Sequence, residues 1–434
     1  MEAVDGRKRL FEVARRRLDA MSGEAGEPLR WFVPGRIEVF GKHTDYAGGR
    51  SLLCCVGRGF HVVARPRLDR VVRIADAVLG AETSQTLSEE QEIGAEGSWT
   101  AYPAAVLRRI ARDFPGNLRG ANIAFVSDLP RSAGLSSSSA LVVAVFTALA
   151  SVNALEEHAA YRANIRSEED LAGYLGAVEN GLSFGSLDGL RGVGTFGGSE
   201  DHTAILCCRD GHVSQYSFLP VRREKDIAVP RGWTFVVGAS GVTAEKAGAA
   251  RESYNRLSLT AAAVFEAWRG ASGLGGSLGE AAGSPGAPQR IREILAASSH
   301  PRFSARALLD RFEQFLEESE VLVPAAAGAF EMEDATALGE IAARSQAGAE
   351  RLLGNQVPET IGLAACALAL GAIAASAFGA GFGGSVWALI PAGDAEVFRV
   401  SWEASFRRRF PDRAGSSEFF VTRAGPGRLR LEEE

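Results

Sequence analysis

Hydrophobic and polar positions change their period along the first part of the chain. Residues 1–20 have the spacing of an amphipathic, arginine-rich helix. Residues 30–65 alternate and then become continuously apolar, which predicts two strands separated by a turn at residues 46–49. The pattern then favours a helix over residues 99–114 and a short strand over residues 122–126.

The remaining pattern mixes both periods, which favours an α+β fold of two domains. The predicted helices are residues 140–155 and 168–182, and the predicted strands are residues 203–208, 213–218 and 234–238. A polar connection at residues 220–230 places the domain boundary there, giving domains 1–219 and 220–434. Residues 270–288 are rich in Gly, Ser and Pro and predict a flexible surface loop.

Residues 360–393 contain no charged side chain and imitate a membrane span. The segment GAGFGG at residues 379–384 interrupts them, so we interpret the stretch as a buried helix, a glycine loop and a buried strand. The charged N-terminal segment has no apolar core of the kind found in signal peptides. We therefore expect a cytoplasmic protein that does not cross a membrane.

Composition excludes several classes of function. The chain has 434 residues, of which 46% are hydrophobic, so it is not intrinsically disordered. Its net charge of -6 gives no overall attraction for nucleic acid or an anionic membrane. Only four of its 47 basic residues are lysines, so arginine patches say little about function here, whereas a lysine is a rare event. The five cysteines lie in apolar sequence, which predicts buried free thiols.

Two glycine-rich segments are candidates for binding phosphate. The first, PRSAGLSSSSA at residues 130–140, lies between a predicted strand and a predicted helix. Small residues allow backbone N–H groups to approach a phosphate, and the helix N-terminus adds unpaired donors and a positive dipole. Four consecutive serines exceed what helix capping needs. The second, GAGFGGS at residues 379–385, is a weak signal alone.

A third segment concentrates charged groups in one short strand and turn. Residues 34–46 read PGRIEVFGKHTDY and hold Arg36, Lys42, His43 and Asp45. Such a density of convergent polar groups suits a polyhydroxylated ligand or a phosphate.

Together, the three segments resemble the three motifs of the GHMP kinase superfamily, and residues 34–46 are similar to the galactokinase signature GRVNLIGEHTDY. The resemblance extends from about residue 30 to residue 395. It implies an N-terminal α/β domain resembling the second domain of ribosomal protein S5 and a ferredoxin-like C-terminal domain, with the active site between them.

The resemblance also implies an ATP-dependent sugar kinase that uses Mg²⁺. Its expected acceptor is the anomeric hydroxyl of galactose or a related sugar. Kinases of a uronic acid, arabinose or a heptose phosphate, and a non-catalytic galactokinase-like sensor of sugar and ATP, stay open as alternatives. The expected partners are a small sugar and ATP, without nucleic acid or membrane, and the chain is expected to be a monomer or a homodimer.

Individual roles follow from the resemblance by position. Arg36 matches the arginine beside the transferred phosphoryl group, and His43, Asp45 and Tyr254 match sugar-binding positions. Glu179 matches the helical glutamate that binds Mg²⁺ together with Ser138. The residues expected to bind ATP and its phosphates are Gly134, Ser136, Ser137, Ser138, Ser139, Trp99, Gly381 and Gly383. Tyr102 shares the aromatic region of Trp99, and a role in the core is an equal alternative for both.

Two candidates compete for the catalytic aspartate. Asp188 lies in GSLDG, and Asp201 lies in GSEDH, where related kinases carry Gly-x-x-Asp-Gln. We choose Asp201 as the residue that contacts the reacting hydroxyl, which requires an insertion of about ten residues after Glu179.

The signature differs from galactokinases at two positions. Glu38 replaces an asparagine and Lys42 replaces a glutamate of the sugar-binding stretch. An ammonium group only donates hydrogen bonds, so Lys42 would suit an acidic sugar. Alternatively, Lys42 pairs with Glu38 or another carboxylate and does not meet the substrate.

Overall fold

The computed structural model of the chain describes residues 2–22, 27–94, 97–131, 133–243 and 248–432. The first half begins with a long helix and continues as a mixture of strands and helices. In chain order its elements are α1 (Glu2–Ser22), β1 (Leu29–Phe40), β2 (Arg50–Pro66), β3 (Val71–Asp76), β4 (Glu82–Thr86), α2 (Ala101–Asp113), β5 (Ala121–Ser127), α3 (Ser137–Asn153), α4 (Ala159–Asn164), α5 (Glu168–Asn180), α6 (Glu200–Cys207), β6 (His212–Ser217) and β7 (Arg222–Ala228).

The second half is richer in helices. In chain order its elements are β8 (Trp233–Ala239), α7 (Gly248–Ser272), α8 (Leu278–Ala282), α9 (Ala287–Ala296), α10 (Ala305–Leu316), α11 (Val323–Glu331), α12 (Ala335–Gly348), α13 (Pro358–Ala369), β9 (Ala374–Phe378), β10 (Ser385–Pro391), α14 (Ala395–Arg409), β11 (Glu418–Thr422) and β12 (Leu429–Arg430). Two π-helical turns, Glu317–Leu322 and Ala349–Leu353, continue α10 and α12.

The larger sheet is organised around the long strand β2. Its eight strands run in the order β12-β1-β2-β5-β3-β4, with β6 paired to β2 and β7 to β6. All of these pairs are antiparallel except β3 with β5. Helices α2, α3, α5 and α6 bury Leu107, Val143, Leu175 and Ile205 in the main core with β1 and β2. This core fixes the ends of α3, α5 and α6 relative to β1.

Helix α1 confirms the amphipathic pattern of the N-terminal segment. Phe11, Ala14 and Leu18 recur at helical spacing and pack against Phe32 and Val63 of the sheet. The arginines of this helix are half-buried or exposed, and the guanidinium of Arg7 lies 4.1 Å above the Phe32 ring.

The smaller sheet is antiparallel, in the order β11-β8-β10-β9. Helices α13 and α14 cover one face, with Leu363 and Trp402 in the core between them. Phe235 and Trp387 on the other face join the main core. This is the two-part α+β architecture that the resemblance implied. Helices α7 to α10 add a separate apolar cluster that includes Phe315.

The strand predicted at residues 203–208 is wrong, because Glu200–Cys207 form helix α6. Every residue of this helix except Asp201 is buried. A helix that is buried on all sides has no polar face and therefore no helical period in its sequence. Asp201, the one residue of this helix that is not buried, is the residue that the helix presents to the site described below.

The polar connection predicted at residues 220–230 is also wrong over most of its length. Residues Arg222–Ala228 form β7, which pairs with β6 at the border of the larger sheet. Most of its side chains are exposed, so the strand carries charged residues and lacks an apolar pattern. The division into domains 1–219 and 220–434 stays a prediction.

Two glycine-rich segments also differ from expectation. Residues 270–288 are not one loop, since Leu278–Ala282 form α8 with a capping box between Ser277 and Glu280. Residues 379–384 connect two strands, β9 and β10, instead of a helix and a strand.

Two expectations about the surroundings of the chain can be compared with the structure. In the described ranges, none of the helices is long and apolar enough to span a membrane. The five cysteines are free and buried, as the sequence predicted.

The buried His61 provides a test of how α1 packs on the sheet. Its imidazole contacts the rings of Phe11 and Phe32 at centroid distances of 5.0 Å and 5.3 Å. Burial, together with the Arg7 guanidinium, lowers the pKa of His61 from 6.5 to about 4. The folded state therefore binds this proton more weakly than the unfolded chain, and stability is lost as the pH falls from 6.5 towards 4.

We predict that His61→Gln reduces the acid-induced loss of stability between pH 7 and pH 4 by about 2 kcal/mol. Urea unfolding of both proteins at several pH values measures this difference. His300→Gln, at a partly exposed turn, is the matched control and should leave the pH dependence unchanged. Equal pH dependence in wild type and His61→Gln would contradict the assignment.

Candidate active site

Arg36 points into the cleft because strand β1 carries a bulge. The register between β1 and β2 shifts between Pro34 and Arg36, and a bulge redirects the side chains that follow it. Gly35 permits this approach, since a Cβ there would lie 2.7 Å from the Leu129 side chain and 2.9 Å from the Leu135 carbonyl oxygen. The Arg36 N–H donates to that carbonyl at 3.3 Å, which ties β1 to the serine loop.

The Arg36 guanidinium binds the Asp201 carboxylate. Its Nε and Nη2 both lie 2.7 Å from Asp201 Oδ1, and Nη1 donates to the Gly134 carbonyl at 2.7 Å. The two side chains are 5% and 16% exposed, so little water competes with the pair. Burial alone would lower the pKa of Arg36, but the carboxylates of Asp201, Glu200 and Glu38 outweigh it and raise that pKa.

Three helix ends meet at Asp201. Asp201 lies in the first turn of α6, Ser139 in the first turn of α3 and Glu179 in the last turn of α5. The Ser139 hydroxyl donates to Glu179 Oε2 at 3.0 Å and lies 3.4 Å from Asp201 Oδ2. His202 Nε2 lies 3.2 Å from Glu179 Oε2. The helices therefore bring carboxylates and hydroxyls from distant parts of the sequence into one wall.

The structure separates the two candidate aspartates. Asp188 is 83% exposed and lies 3.6 Å from Arg112 on the surface. Asp201 lines the cavity together with Arg36. Of the two, only Asp201 lies beside the other residues of the predicted site.

His43 stands at the tip of the turn after β1 in a left-handed conformation, with φ of 59°. Its Nε2 lies 3.1 Å from the Ala380 carbonyl and its Nδ1 lies 3.0 Å from the Tyr46 hydroxyl. Because a carbonyl oxygen only accepts, these partners assign the ring proton to Nε2, and Nδ1 accepts from Tyr46. The ring is thereby fixed in orientation beside the cavity.

Asp45 joins the same turn to the helix that carries Asp201. Its Oδ2 accepts the Glu200 N–H at 3.1 Å, which is a donor of the first turn of α6. A Cβ at Gly198 would lie 2.4 Å from this oxygen, so only glycine permits the contact. Asp45 lines the cavity, and it also holds the N-terminus of α6 in place.

Tyr254 of α7 closes the cavity on the side of His43. The two ring centroids are 5.5 Å apart, and Tyr254 is buried. Burial, followed by the charge of Asp45, raises the pKa of the Tyr254 hydroxyl well above its usual value. The hydroxyl therefore stays protonated and can donate a hydrogen bond.

Lys42 lies outside this cavity, which corrects its assignment to substrate binding. Its side chain is 1% exposed, and its Nζ donates to Ser345 Oγ at 2.6 Å and lies 4.0 Å from Glu318 Oε1. The Ser345 hydroxyl lies 2.9 Å from both Glu318 oxygens. The structure thus favours the alternative of a buried internal pair, with Glu318 as the carboxylate.

The serine loop has the features of an anion site. Gly134 and Ser136 have positive φ angles of 74° and 62°, and α3 begins directly afterwards at Ser137. The Ser136 hydroxyl is buried and has no hydrogen-bond partner among the residues that the structure describes. A phosphate oxygen would satisfy both this group and the unpaired N–H groups of the first helical turn. Ser137 and Ser138 are half-buried at the same turn, and Ser132 lies outside the described residues.

Three residues assigned to ATP have other neighbours. Trp99 packs partly buried against the main core, as does Tyr102. A Cβ at Gly381 would lie 2.4 Å from the Asn355 carbonyl oxygen, and one at Gly383 would lie 2.8 Å from that of Val242. Packing therefore accounts for both glycines, and the loop contributes Gly379 and Ala380 to the cavity instead.

The sequence interpretation missed a second carboxyl group beside Glu38. Glu200 of α6 and Glu38 of β1 both line the cavity, and the charge of each carboxyl group affects the other. Burial raises the pKa of Glu38 to about 7, against the opposing charges of Lys42 and Arg36. Burial and the charge of Glu38 raise the pKa of Glu200 well above its usual value. The strand predicted at residues 203–208 hid the helical geometry that places Glu200 beside Glu38.

Three family descriptions match the chain. Residues 101–185 match the N-terminal domain of GHMP kinases and residues 326–408 match the C-terminal domain. Each half of the chain thus contains a segment that matches a domain of the GHMP kinases. Residues 20–66 further match the galactose-binding signature of galactokinases.

Proteins with similar sequences include galactokinases. The chain is 37% identical over 181 residues to a galactokinase of Roseiflexus sp., covering 41% of this chain and 42% of the relative. It is 34% identical over 222 residues to a galactokinase of Chloroflexus aggregans, covering 50% of each. The matched part of the chain thus spans about half the length of these curated relatives.

Solved structures confirm the fold. Lactococcus lactis galactokinase complexed with galactose has a TM-score of 0.76 at 21% identity, covering 96% of this chain and 98% of that chain. Methanococcus jannaschii mevalonate kinase has a TM-score of 0.55 at 12% identity, covering 92% and 99%.

We predict that Lys42→Met lowers the free energy of unfolding by about 3 kcal/mol, because it leaves the Glu318 carboxylate buried without its ammonium partner. Urea unfolding measures this loss, and the double variant Lys42→Met/Glu318→Gln should recover part of it. The relative preference among sugars should not change. A stable Lys42→Met protein with an altered sugar preference would return Lys42 to the substrate site.

Proposed function

We propose that the protein is an ATP-dependent kinase that transfers the γ-phosphoryl group to a sugar hydroxyl, the anomeric hydroxyl of galactose or a related sugar being the expected acceptor. The observation that carries this proposal is the Arg36–Asp201 pair. It lies between the serine loop and the turn of residues 43–46, and it connects an anion site with a polyol site.

The chemistry of the site fits direct phosphoryl transfer. Asp201 would accept the proton of the sugar hydroxyl or orient it towards the phosphorus. Arg36 would stabilise negative charge on the transferred group and on the attacking oxygen. The N–H groups and hydroxyls at the start of α3 would bind the polyphosphate of ATP. Positioning and electrostatic stabilisation provide most of the rate enhancement in such reactions.

The residues that would hold Mg²⁺ are Glu179 and Ser138, with Ser139 orienting the Glu179 carboxylate. The described ranges contain no cluster of three or more His, Cys, Asp or Glu side chains suited to a metal. A pair of oxygen ligands fits Mg²⁺, which is usually bound through few protein groups together with phosphate oxygens. When bound, the ion would neutralise charge on the polyphosphate.

A non-catalytic sensor of sugar and ATP is the alternative. It would need the anion loop and the polyol site, but it would not need a buried carboxylate held by an arginine between them. The close Arg36–Asp201 contact favours an enzyme.

We predict that Asp201→Asn lowers kcat at least about 100-fold and leaves ATP binding unchanged, because it removes the proton acceptor but keeps the size of the side chain. ADP release with a panel of sugars measures turnover, and calorimetry measures ATP binding. Asp188→Asn is the matched control on the surface and should keep wild-type turnover. Near-normal turnover of Asp201→Asn would contradict the catalytic assignment.

A second prediction concerns the metal. Glu179→Gln should raise the Mg²⁺ concentration needed for half-maximal ADP release at least about tenfold, since an amide binds a hard cation more weakly than a carboxylate does. A titration with Mg²⁺ at saturating ATP and sugar measures the shift. Glu169→Gln, on the partly exposed side of the same helix, is the control. An unchanged Mg²⁺ requirement would remove Glu179 from the metal site.

A further inference from the structure

Two carboxyl groups in the cavity have no part in the proposed transfer. Glu38 and Glu200 are 3% and 6% exposed, and both line the same cavity as Arg36 and Asp201. Galactokinase signatures carry a neutral asparagine at the position of Glu38, so the chain has added a buried acid at this place.

The nearby cations are engaged elsewhere. The Lys42 ammonium donates to Ser345 Oγ at 2.6 Å, and the Arg36 guanidinium binds Asp201 and the Gly134 carbonyl. Among the described residues, Glu200 Oε2 accepts the neutral hydroxyl of Ser51 at 2.6 Å. Glu38 Oε1 is buried and receives no hydrogen bond from any residue in the described ranges. The pair lines the cavity, and its Glu38 Oε1 atom is a buried acceptor without a donor among the described residues.

The protonation of the Glu38–Glu200 pair depends on the charged groups around it. Arg36 on β1 and Lys42 in the turn after it attract its negative charge, and the carboxylates of Glu318, Asp45 and Asp201 oppose it. Because burial raises the pKa of Glu38 to about 7 and that of Glu200 well above its usual value, the pair holds at least one proton at neutral pH. Keeping two adjacent carboxyl groups buried in this way disfavours a further anion in the cavity.

The carboxyl groups indicate which kind of donor would bind Glu38 Oε1. A hydroxyl would supply one neutral donor, whereas an ammonium supplies three donors and a positive charge. Hydrogen bonds between charged groups are about twice as strong as neutral ones. An ammonium therefore satisfies Glu38 and compensates the charge of the pair, which a hydroxyl cannot do.

We propose that the Glu38–Glu200 pair binds the ammonium group of an amino sugar. The substrate class is then an amino-deoxy aldose, and acidic sugars are excluded. This inference rests on the proposed function only in taking the cavity as the sugar site. Binding of the ammonium ionises the second carboxyl group, and its proton passes to the solvent.

Binding of three probes tests the proposal at pH 6.5, where the sugar amine is protonated. Calorimetry of the full chain compares D-galactosamine, D-galactose and D-galacturonate. We expect D-galactosamine to bind at least about tenfold more tightly than D-galactose, as one charged hydrogen bond implies. D-galacturonate should bind most weakly. Titration in two buffers of different ionisation enthalpy should show proton release with D-galactosamine and none with D-galactose.

Two variants connect the preference to the pair. Glu38→Gln and Glu200→Gln keep the size of the side chain, and each should reduce the preference for D-galactosamine over D-galactose to about twofold or less and abolish proton release. Glu331→Gln, a half-exposed partner of Lys225, is the control and should keep both. Thermal unfolding of each variant verifies that it folds, and having two variants keeps the test valid if one does not.

Failure of this inference differs from failure of the proposed function. Phosphorylation of D-galactose without any preference for D-galactosamine would support the kinase and overturn the inference. Preferential binding of D-galactosamine that both variants abolish would support the inference even if no sugar were phosphorylated. A preference that survives in Glu38→Gln and Glu200→Gln would overturn the role of the pair.

Discussion

The active-site turn depends on a set of buried hydrogen bonds from a helix far along the chain. Glu318 accepts the Gly41 and Lys42 N–H groups at 2.9 Å and 3.4 Å, and Gln314 donates to the Lys42 carbonyl at 3.0 Å. The Arg311 guanidinium binds the His43 carbonyl and, at 3.1 Å, the Tyr46 hydroxyl. A turn that places His43 at positive φ is strained without such partners. The contacts fix His43 and Asp45, and Asp45 in turn fixes the helix that presents Asp201.

The family pattern located the site segment correctly but suggested the wrong role for Lys42, which contacts Ser345 and Glu318 instead of lining the cavity. The sequence identified the segment, and the structure places Arg36, His43, Asp45 and Tyr254 around one cavity. It could not show that the lysine points towards Glu318, because that carboxylate is 276 residues away along the chain. The charge of a side chain in a motif therefore says little until the residues behind the motif are known.

Local periodicity predicted several elements of the first half of the chain, and it failed where tertiary burial removed the periodic pattern. The two strands on either side of the turn at residues 46–49 and the helix after the serine loop were predicted close to their observed positions. Helix α6 was missed because it is buried on nearly all sides, and β7 was missed because it lies exposed at the border of the sheet. The error at α6 also concealed Glu200, whose place in the site depends on helical geometry.

The distance along the chain between the turn and its supporting helix has a consequence for synthesis. A ribosome releases β1 and the serine loop long before α10, and the contact between Gly41 and Glu318 spans 277 residues. Closing a loop of this length costs conformational entropy before any contact forms, so such sites are completed slowly. Until α10 is made, the nascent N-terminal half contains the motif of residues 34–46 but lacks the contacts that fix its turn. A ligand can therefore bind at this site only after the second half has folded against the first.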